Sequence, residues 1–209
     1  MKIAVVAANG KAGQLIVKEA VERGLDVTAI VRSANKTVAQ NVLVKDTFDL
    51  TADDLRGFDV VVDALGAWGP NASDIYKATE HLTAVLKGTD TRLIVVGGAG
   101  SLYVDDTHTK TVLDMAVGFP EEAMAVVKAH AHALAGLREV RDVKWTYVSP
   151  AAEFEADGAR TGEYQIGGDQ MLLNAEGKSV ISYADYAIAV VDEAESGAHV
   201  QQRISVVSK

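Results

Sequence analysis

The stretch that most limits the fold is Lys2–Gly13, KIAVVAANGKAG. Its β-branched apolar run, Ile3–Val6, suits a buried strand and stops at small residues. From Gly13 onward Leu15, Ile16, Ala20 and Val21 fall at helical spacing, with Lys18, Glu19, Glu22 and Arg23 outside and Gly24 as the stop. A strand that turns directly into a helix aims the first helical N–H groups at whatever lies above the turn. A pyrophosphate is the natural occupant. Such a turn needs three small positions: one for the bend, one for backbone approach to phosphate, and one for close helix–strand packing. Here these are Ala7, Gly10 and Gly13. Ala7 stands where glycine is usual, so the bend has to hold a methyl group. Asn9 tolerates positive φ and can bond the turn, Lys11 adds charge, and Ala12 keeps the helix start narrow. A purely structural turn is the competing reading.

The alternation continues along the chain. Val27–Val31, Asn41–Val44, Phe58–Ala64, Arg92–Val96 and Trp145–Val148 read as strands, and Arg203–Val207 as a last one. Helices are expected over Asp74–Lys87, capped by Ser73, and from Pro120 through Leu137. A short helix opens at Thr51–Asp54 and stops at Gly57; another lies near Thr111–Ala116 inside a loop. After Pro150, short runs at Glu163–Ile166 and Met171–Leu173 are spaced by glycines, and Ser182 caps a helix from Tyr183 to about Glu193. Strands alternating with helices imply an α/β fold, a doubly wound, mostly parallel sheet with right-handed crossovers. Residues 1–209 read as one domain. Within it, 151–209 forms a small substrate-side region and completes the sheet.

Composition removes several function classes. A formal net charge of −9 argues against a nucleic-acid surface. The absence of cysteine removes disulfides, thiolate metal sites and cysteine nucleophiles. No basic segment followed by an apolar run opens the chain, and no apolar stretch reaches membrane-spanning length. A cytoplasmic location is the expectation.

Arg32 ends the second strand, about 20 residues beyond the turn, where an acid would bind a ribose 2′-hydroxyl and an arginine a 2′-phosphate. Val31-Arg32-Ser33 holds no acid, so NADP(H) is preferred and NAD(H) stays possible; a solvated arginine closing a strand is the plain alternative. Asp46, Ala64, Leu65 and Gly66 end strands three and four, at the edge where open sheets bind ligands. Asp46 is placed for adenine, and 64–66 leave room for ribose.

KIAVVAANGKAG, VTAIVR, VVDALG, RLIVVGGAGSL, WTYVSPAAEF, GARTGEYQIGGD and ISYADYAIAVVDE, taken in order, resemble the atypical short-chain dehydrogenase/reductases. Within these the chain is similar to the NmrA-like and biliverdin-reductase-B-like, or NADH-flavin reductase-like, proteins. The resemblance implies a Rossmann-type sheet, a bound NAD(P)H, and reduction of a flavin or another conjugated acceptor. The larger superfamily uses a tyrosine with a lysine four residues later, and none of the six tyrosines here has one. That suits flavin reduction, where water supplies the proton and the protein supplies proximity. It counts against alcohol–ketone exchange and against an epimerase.

By the same resemblance, Ser101 stands where relatives place a catalytic hydroxyl, with a turn serine as the plain alternative. His130 falls near the nicotinamide ribose, to orient it or to donate a proton; Lys128 competes with it, and a surface histidine is the bland reading. His130 and His132 sit at i and i+2 on a helix and point apart, so no metal site is assigned. Trp68, Tyr103 and Phe154, with the Ser149-Pro150 loop, can border a planar acceptor, although each is equally at home in simple packing. Asp105–Thr109 reads as a lid or a plain loop. The expected function is an NADPH-preferring reductase of a small conjugated acceptor; the alternative is an NmrA-like NADP-binding redox sensor without turnover. Oligomeric state is left open.

Overall fold

A computed structural model describes every residue except Val117. In chain order its elements are β1 (Lys2–Val6), α1 (Lys11–Glu22), β2 (Asp26–Val31), β3 (Asn41–Val44), β4 (Val60–Asp63), α2 (Asp74–Leu86), β5 (Arg92–Val96), α3 (Val112–Met115), α4 (Glu121–Glu139), β6 (Lys144–Ser149), β7 (Glu153–Glu155), β8 (Tyr164–Gly167), β9 (Val180–Ser182), α5 (Tyr183–Ser196) and β10 (Gln202–Ser208). The main sheet runs β3-β2-β1-β4-β5-β6-β10-β8, and only the β10–β8 pair is antiparallel. β7 and β9 form a separate two-stranded ribbon. The expected Rossmann-type α/β architecture is therefore present. Strand order reverses at β1, whose neighbours are β2 on one side and β4 on the other. Ligands of open parallel sheets bind beyond the carboxyl ends of the strands at such a reversal.

The two faces of the sheet carry separate cores, as alternation of side chains along a strand dictates. Ile3, Val5, Val60 and Val62 pack with Ile16 and Ala20 of α1 and with Tyr186 and Val190 of α5. Ala4, Val6, Val61 and Val95 pack with Leu82 and Leu86 of α2 and with Leu134 and Leu137 of α4.

Several local expectations need correction. The 51–57 segment is a run of turns, not a helix. The Asp54 carboxylate accepts from both the N–H and the hydroxyl of Thr51 and pairs with Lys45. With Gly57 at φ +86°, too few residues remain to offset helix nucleation. Ser73 does not cap α2: it is itself helical, because a 3-10 turn over Gly69–Asn71 already winds into the helix. β4 is shorter than Phe58–Ala64. Met171–Leu173 is not a strand; Met171 N–H instead donates to the Tyr103 carbonyl. Thr111 and Ser182 do cap α3 and α5.

Candidate functional site

The β1–α1 turn is built from its smallest residues. Ala7 takes φ +55°, a left-handed conformation that costs an L-residue about 1–2 kcal/mol. Gly10 N–H then closes the bend onto the Ala7 carbonyl at 3.0 Å. A Cβ on Gly13 would lie 2.9 Å from both Cα and O of Ala8, so glycine is what lets α1 pack on the strand end. A Cβ on Gly10 would meet nothing closer than 3.4 Å. That open space faces the start of α1, which has no side-chain cap and no acid in its first turn. Its first N–H groups are thus free for an anion.

Asn9 fastens this turn to the end of β2. Its Nδ2 donates to the Ala34 carbonyl at 2.9 Å, and its Oδ1 accepts from Lys36 N–H at 2.8 Å. Arg32, Ser33 and Lys36 are exposed beside it. The loop beyond is stiffened by Asn35, whose Oδ1 accepts from both N–H and hydroxyl of Thr37. Asp46 is partly occupied: one oxygen accepts from Phe48 N–H and caps a 3-10 turn. Of the two carboxylate oxygens, the other is left for a ligand.

Beside the turn, Ala64 N–H donates to the Val6 carbonyl, and the Ala64 carbonyl lies 4.0 Å from where a Gly10 Cβ would be. Gly66 has open space around it. Asp63, buried at the end of β4, holds this edge by accepting from Leu65 N–H at 3.2 Å and from the Thr79 hydroxyl at 2.9 Å. Burial pushes its pKa up to about 6, against the pull of those two bonds.

Further along the carboxyl edge, Gly97 and Gly98 lie directly on other elements. A Cβ on Gly97 would sit 2.3 Å from the Tyr147 ring, and one on Gly98 would sit 2.9 Å from His130 Cβ. The buried Tyr147 hydroxyl accepts from Gly98 N–H and donates to the His130 carbonyl, each at 3.0 Å. Both its bonds are spent on structure. Two buried polar atoms at this end have no partner among the described residues, His130 Nδ1 and Ser149 Oγ. Ser149 shares the α4 face of β6 with Tyr147 by strand alternation. Burial pulls the His130 pKa down to about 4. Burial thus favours the neutral ring.

The remaining candidates divide. Ser101 Oγ accepts from Arg203 Nη1 at 3.1 Å, the bonding of a turn serine. Phe154 lies in β7, not a loop, wedged between Tyr183 and Tyr186 with ring centroids 3.9 and 4.8 Å away; packing accounts for it. Tyr103 stacks on His108 at 4.4 Å within the 103–111 loop, and Pro150 is buried. Trp68 is 67% exposed. Lys128 is exposed, and His132 faces Tyr76 and Glu80.

The structure thus brings the glycine turn, the Arg32 loop and the 64–66 edge side by side at the carboxyl ends of β1, β2 and β4. His130 and Ser149 lie further along the same edge. Reading the sequence alone missed Asp63, the Asn9 fastening, Lys36 and the Tyr147 post. One signal was available for Asp63: an acid interrupting the apolar run VVVDAL. Two open hollows of about 500 and 480 Å³ lie elsewhere, at the amino ends of β4 and β5 and near the end of α4. The residues of this carboxyl edge fit a dinucleotide on three counts. The helix start is uncapped, the space at Gly10 is what a Cβ would fill, and two buried polar atoms stand unpaired toward the far end.

Comparison with known proteins agrees. A family model described as NAD(P)H-binding matches residues 7–195. The chain is 47% identical over 213 residues to YwnB of Bacillus subtilis (strain 168), described only as uncharacterized, covering 100% of this chain and 99% of that protein. It superposes on a Streptococcus pneumoniae TIGR4 protein put forward as an NADH-flavin reductase with a TM-score of 0.95 and 51% identity, over 100% of both chains. A Bacteroides thetaiotaomicron protein put forward as an epimerase superposes with a TM-score of 0.82 at 30% identity, over 99% of this chain and 96% of that one. No helix among the described residues is long and apolar enough to cross a membrane.

Proposed function

This chain belongs to the NAD(P)H-binding family, and from that premise we propose that it is a cytoplasmic, single-domain reductase that prefers NADPH and reduces a flavin or another conjugated small molecule. The observation that carries the reading is the uncapped glycine turn fastened by Asn9 to a loop bearing Arg32, Ser33 and Lys36. Bound reduced nicotinamide supplies a hydride. The chain's own residues bind and orient. The N–H groups of Lys11, Ala12 and Gly13 hold the pyrophosphate, with the Lys11 ammonium adding charge. Arg32 and Lys36 face a 2′-phosphate, two cations with no acid between them. The 64–66 edge, held by Asp63, borders the ribose. His130 and Ser149 offer one unpaired polar atom each to the nicotinamide end or the acceptor. With His130 neutral and the Tyr147 hydroxyl occupied, neither delivers a proton at pH 7, so water supplies the second hydrogen. A flavin ring nitrogen permits this, whereas a developing alkoxide does not. Similarity to a protein put forward as an NADH-flavin reductase supports the acceptor class.

The same lack of a proton donor favours a second reading, an NADP-binding redox sensor without turnover. NADPH oxidation assayed with free flavins separates the two, since turnover supports the reductase and tight binding without it supports the sensor. For the cofactor preference, Arg32→Ala should weaken NADPH binding by about 10- to 100-fold, the worth of a charge-assisted bond, and leave NADH within about twofold. Equal losses for both cofactors would show that Arg32 does not meet a 2′-phosphate.

A further inference from the structure

A second, separate feature lies at the amino-terminal ends of β6 and β10, away from the glycine turn at the carboxyl end of β1. A cavity of about 480 Å³ opens there between the end of α4 and the 168–169 turn, lined in part by Arg138, Arg141, Arg203, Trp145 and Asp169. Asp169 is the one carboxylate in that lining, and it is shared. It pairs with Arg138 at 2.7 Å and with Arg203 at 2.6 Å. Arg141 has no acidic partner among the described residues; its Nη1 rests on the carbonyls of Arg138 and Val140. Two guanidinium groups therefore share one carboxylate, and a third lines the same cavity without an acid of its own, so the lining carries three arginines against one aspartate in a chain whose formal net charge is −9.

The three arginines are not equivalent. The Arg203 side chain is 1% exposed and fully engaged. Its Nε and Nη2 bond Asp169, and its Nη1 bonds Ser101 Oγ. Burial lowers its pKa, and the neighbouring Arg138 cation works in the same direction against the pull of Asp169. Arg203 thus contributes field and rigidity but no free donor. Arg138 and Arg141 stand at the mouth, half-exposed and exposed, with donors to spare. Guanidinium forks match the paired oxygens of a phosphate, and such contacts are the stronger kind of hydrogen bond.

We propose that this cavity is a second anion site, which takes a phosphate-class oxyanion (a phosphate monoester or sulfate) between Arg138 and Arg141, over the Trp145 wall. Trp145 is well placed to report it. Its indole N–H donates to the Val140 carbonyl at 3.3 Å, the same oxygen that holds Arg141 Nη1 at 3.4 Å. An anion that draws Arg141 away changes the surroundings of the indole.

The chain has two tryptophans, so Trp68→Phe leaves Trp145 as the single emitter. Inorganic phosphate titrated into that variant, against sodium chloride at matched ionic strength, should give a saturable change in emission. Arg141→Gln in the same background should weaken the midpoint by about tenfold, the loss expected for one charge-assisted contact, with circular dichroism unchanged because Arg141 is exposed. A response equal to that of chloride, or one that survives Arg141→Gln intact, overturns the site. A tighter midpoint for succinate than for phosphate overturns the oxyanion class.

Discussion

The two glycines of the β1–α1 turn should fail in different ways when each is replaced by alanine. At Gly13 the added Cβ meets only backbone, at 2.9, 2.9 and 3.0 Å. No flexible side chain can yield, so α1 must lift from the strand end by roughly half an ångström. Overpacking of this kind costs about 1–3 kcal/mol, offset by about 1 kcal/mol of helix propensity gained when glycine becomes alanine. The net expectation for Gly13→Ala is a loss of up to about 2 kcal/mol in stability, together with lost cofactor binding. At Gly10 the nearest atom is 3.4 Å away, and the backbone (φ −67°, ψ 160°) is one alanine adopts freely. Gly10→Ala should therefore hold stability within about 0.5 kcal/mol yet place a methyl group where the pyrophosphate approaches, weakening NADPH and NADH alike by about tenfold or more. Urea unfolding followed by circular dichroism measures the first quantity, and quenching of protein fluorescence by cofactor measures the second. A Gly10→Ala protein that binds cofactor as well as the parent would refute the assignment of this turn. A Gly13→Ala protein more stable than the parent by about the 1 kcal/mol of helix propensity would refute the packing argument.

Two further expectations concern charge and backbone. Asp63 binds its proton more tightly in the fold (pKa about 6) than its ordinary 3.8, so its contribution to stability falls as pH rises from about 4 to 6. His130 is the reverse, about 4 in the fold against 6.5, so its contribution rises over about 4 to 6.5. Each is worth about 2–3 kcal/mol, and they oppose one another. Relative to the parent, Asp63→Asn should gain stability as pH rises through this window and His130→Gln should lose it; urea midpoints at three pH values decide, and parallel curves for all three proteins would contradict both burial arguments. Ala7→Gly should raise stability by up to about 1 kcal/mol, as relief of left-handed strain outweighs the added freedom of the unfolded chain; a drop in the unfolding midpoint would mean that the methyl group is packed, not strained.

The main strands, the parallel α/β class and the turn were legible because they are periodic or local. Ile3–Val6 reads as a buried strand from four consecutive residues, and Gly10 and Gly13 declare a close approach by their lack of side chains. What pairs residues far apart in the chain was not legible. Asn9 bonds 25 and 27 positions away, and its short amide is ordinary turn chemistry until the partner loop is known. Ser101 was singled out by resemblance to relatives with a hydroxyl after the fifth strand, and Phe154 as an aromatic able to stack on a planar acceptor. Arg203, 102 residues beyond Ser101, and the tyrosines of α5 absorb them into structure. Segment 51–57 misled because Thr51 and Asp54 have capping-box geometry without enough chain behind it to become a helix.

The helix that carries the turn does not find its support nearby. α1 packs on α5, and the two are tied at the surface as well. Arg23, at the end of α1, bridges to Asp192 and Glu195 of α5. Roughly 160 residues separate the end of α1 from the start of α5. At a synthesis rate of about 5–20 residues per second, α1 waits roughly 10–30 s for its brace. During that time β1 and α1 expose the apolar face that α5 will cover. The segment that carries the turn is thus secured only when a much later one exists, and a ribosome that stalls before Tyr183 leaves a glycine turn without α5 behind it.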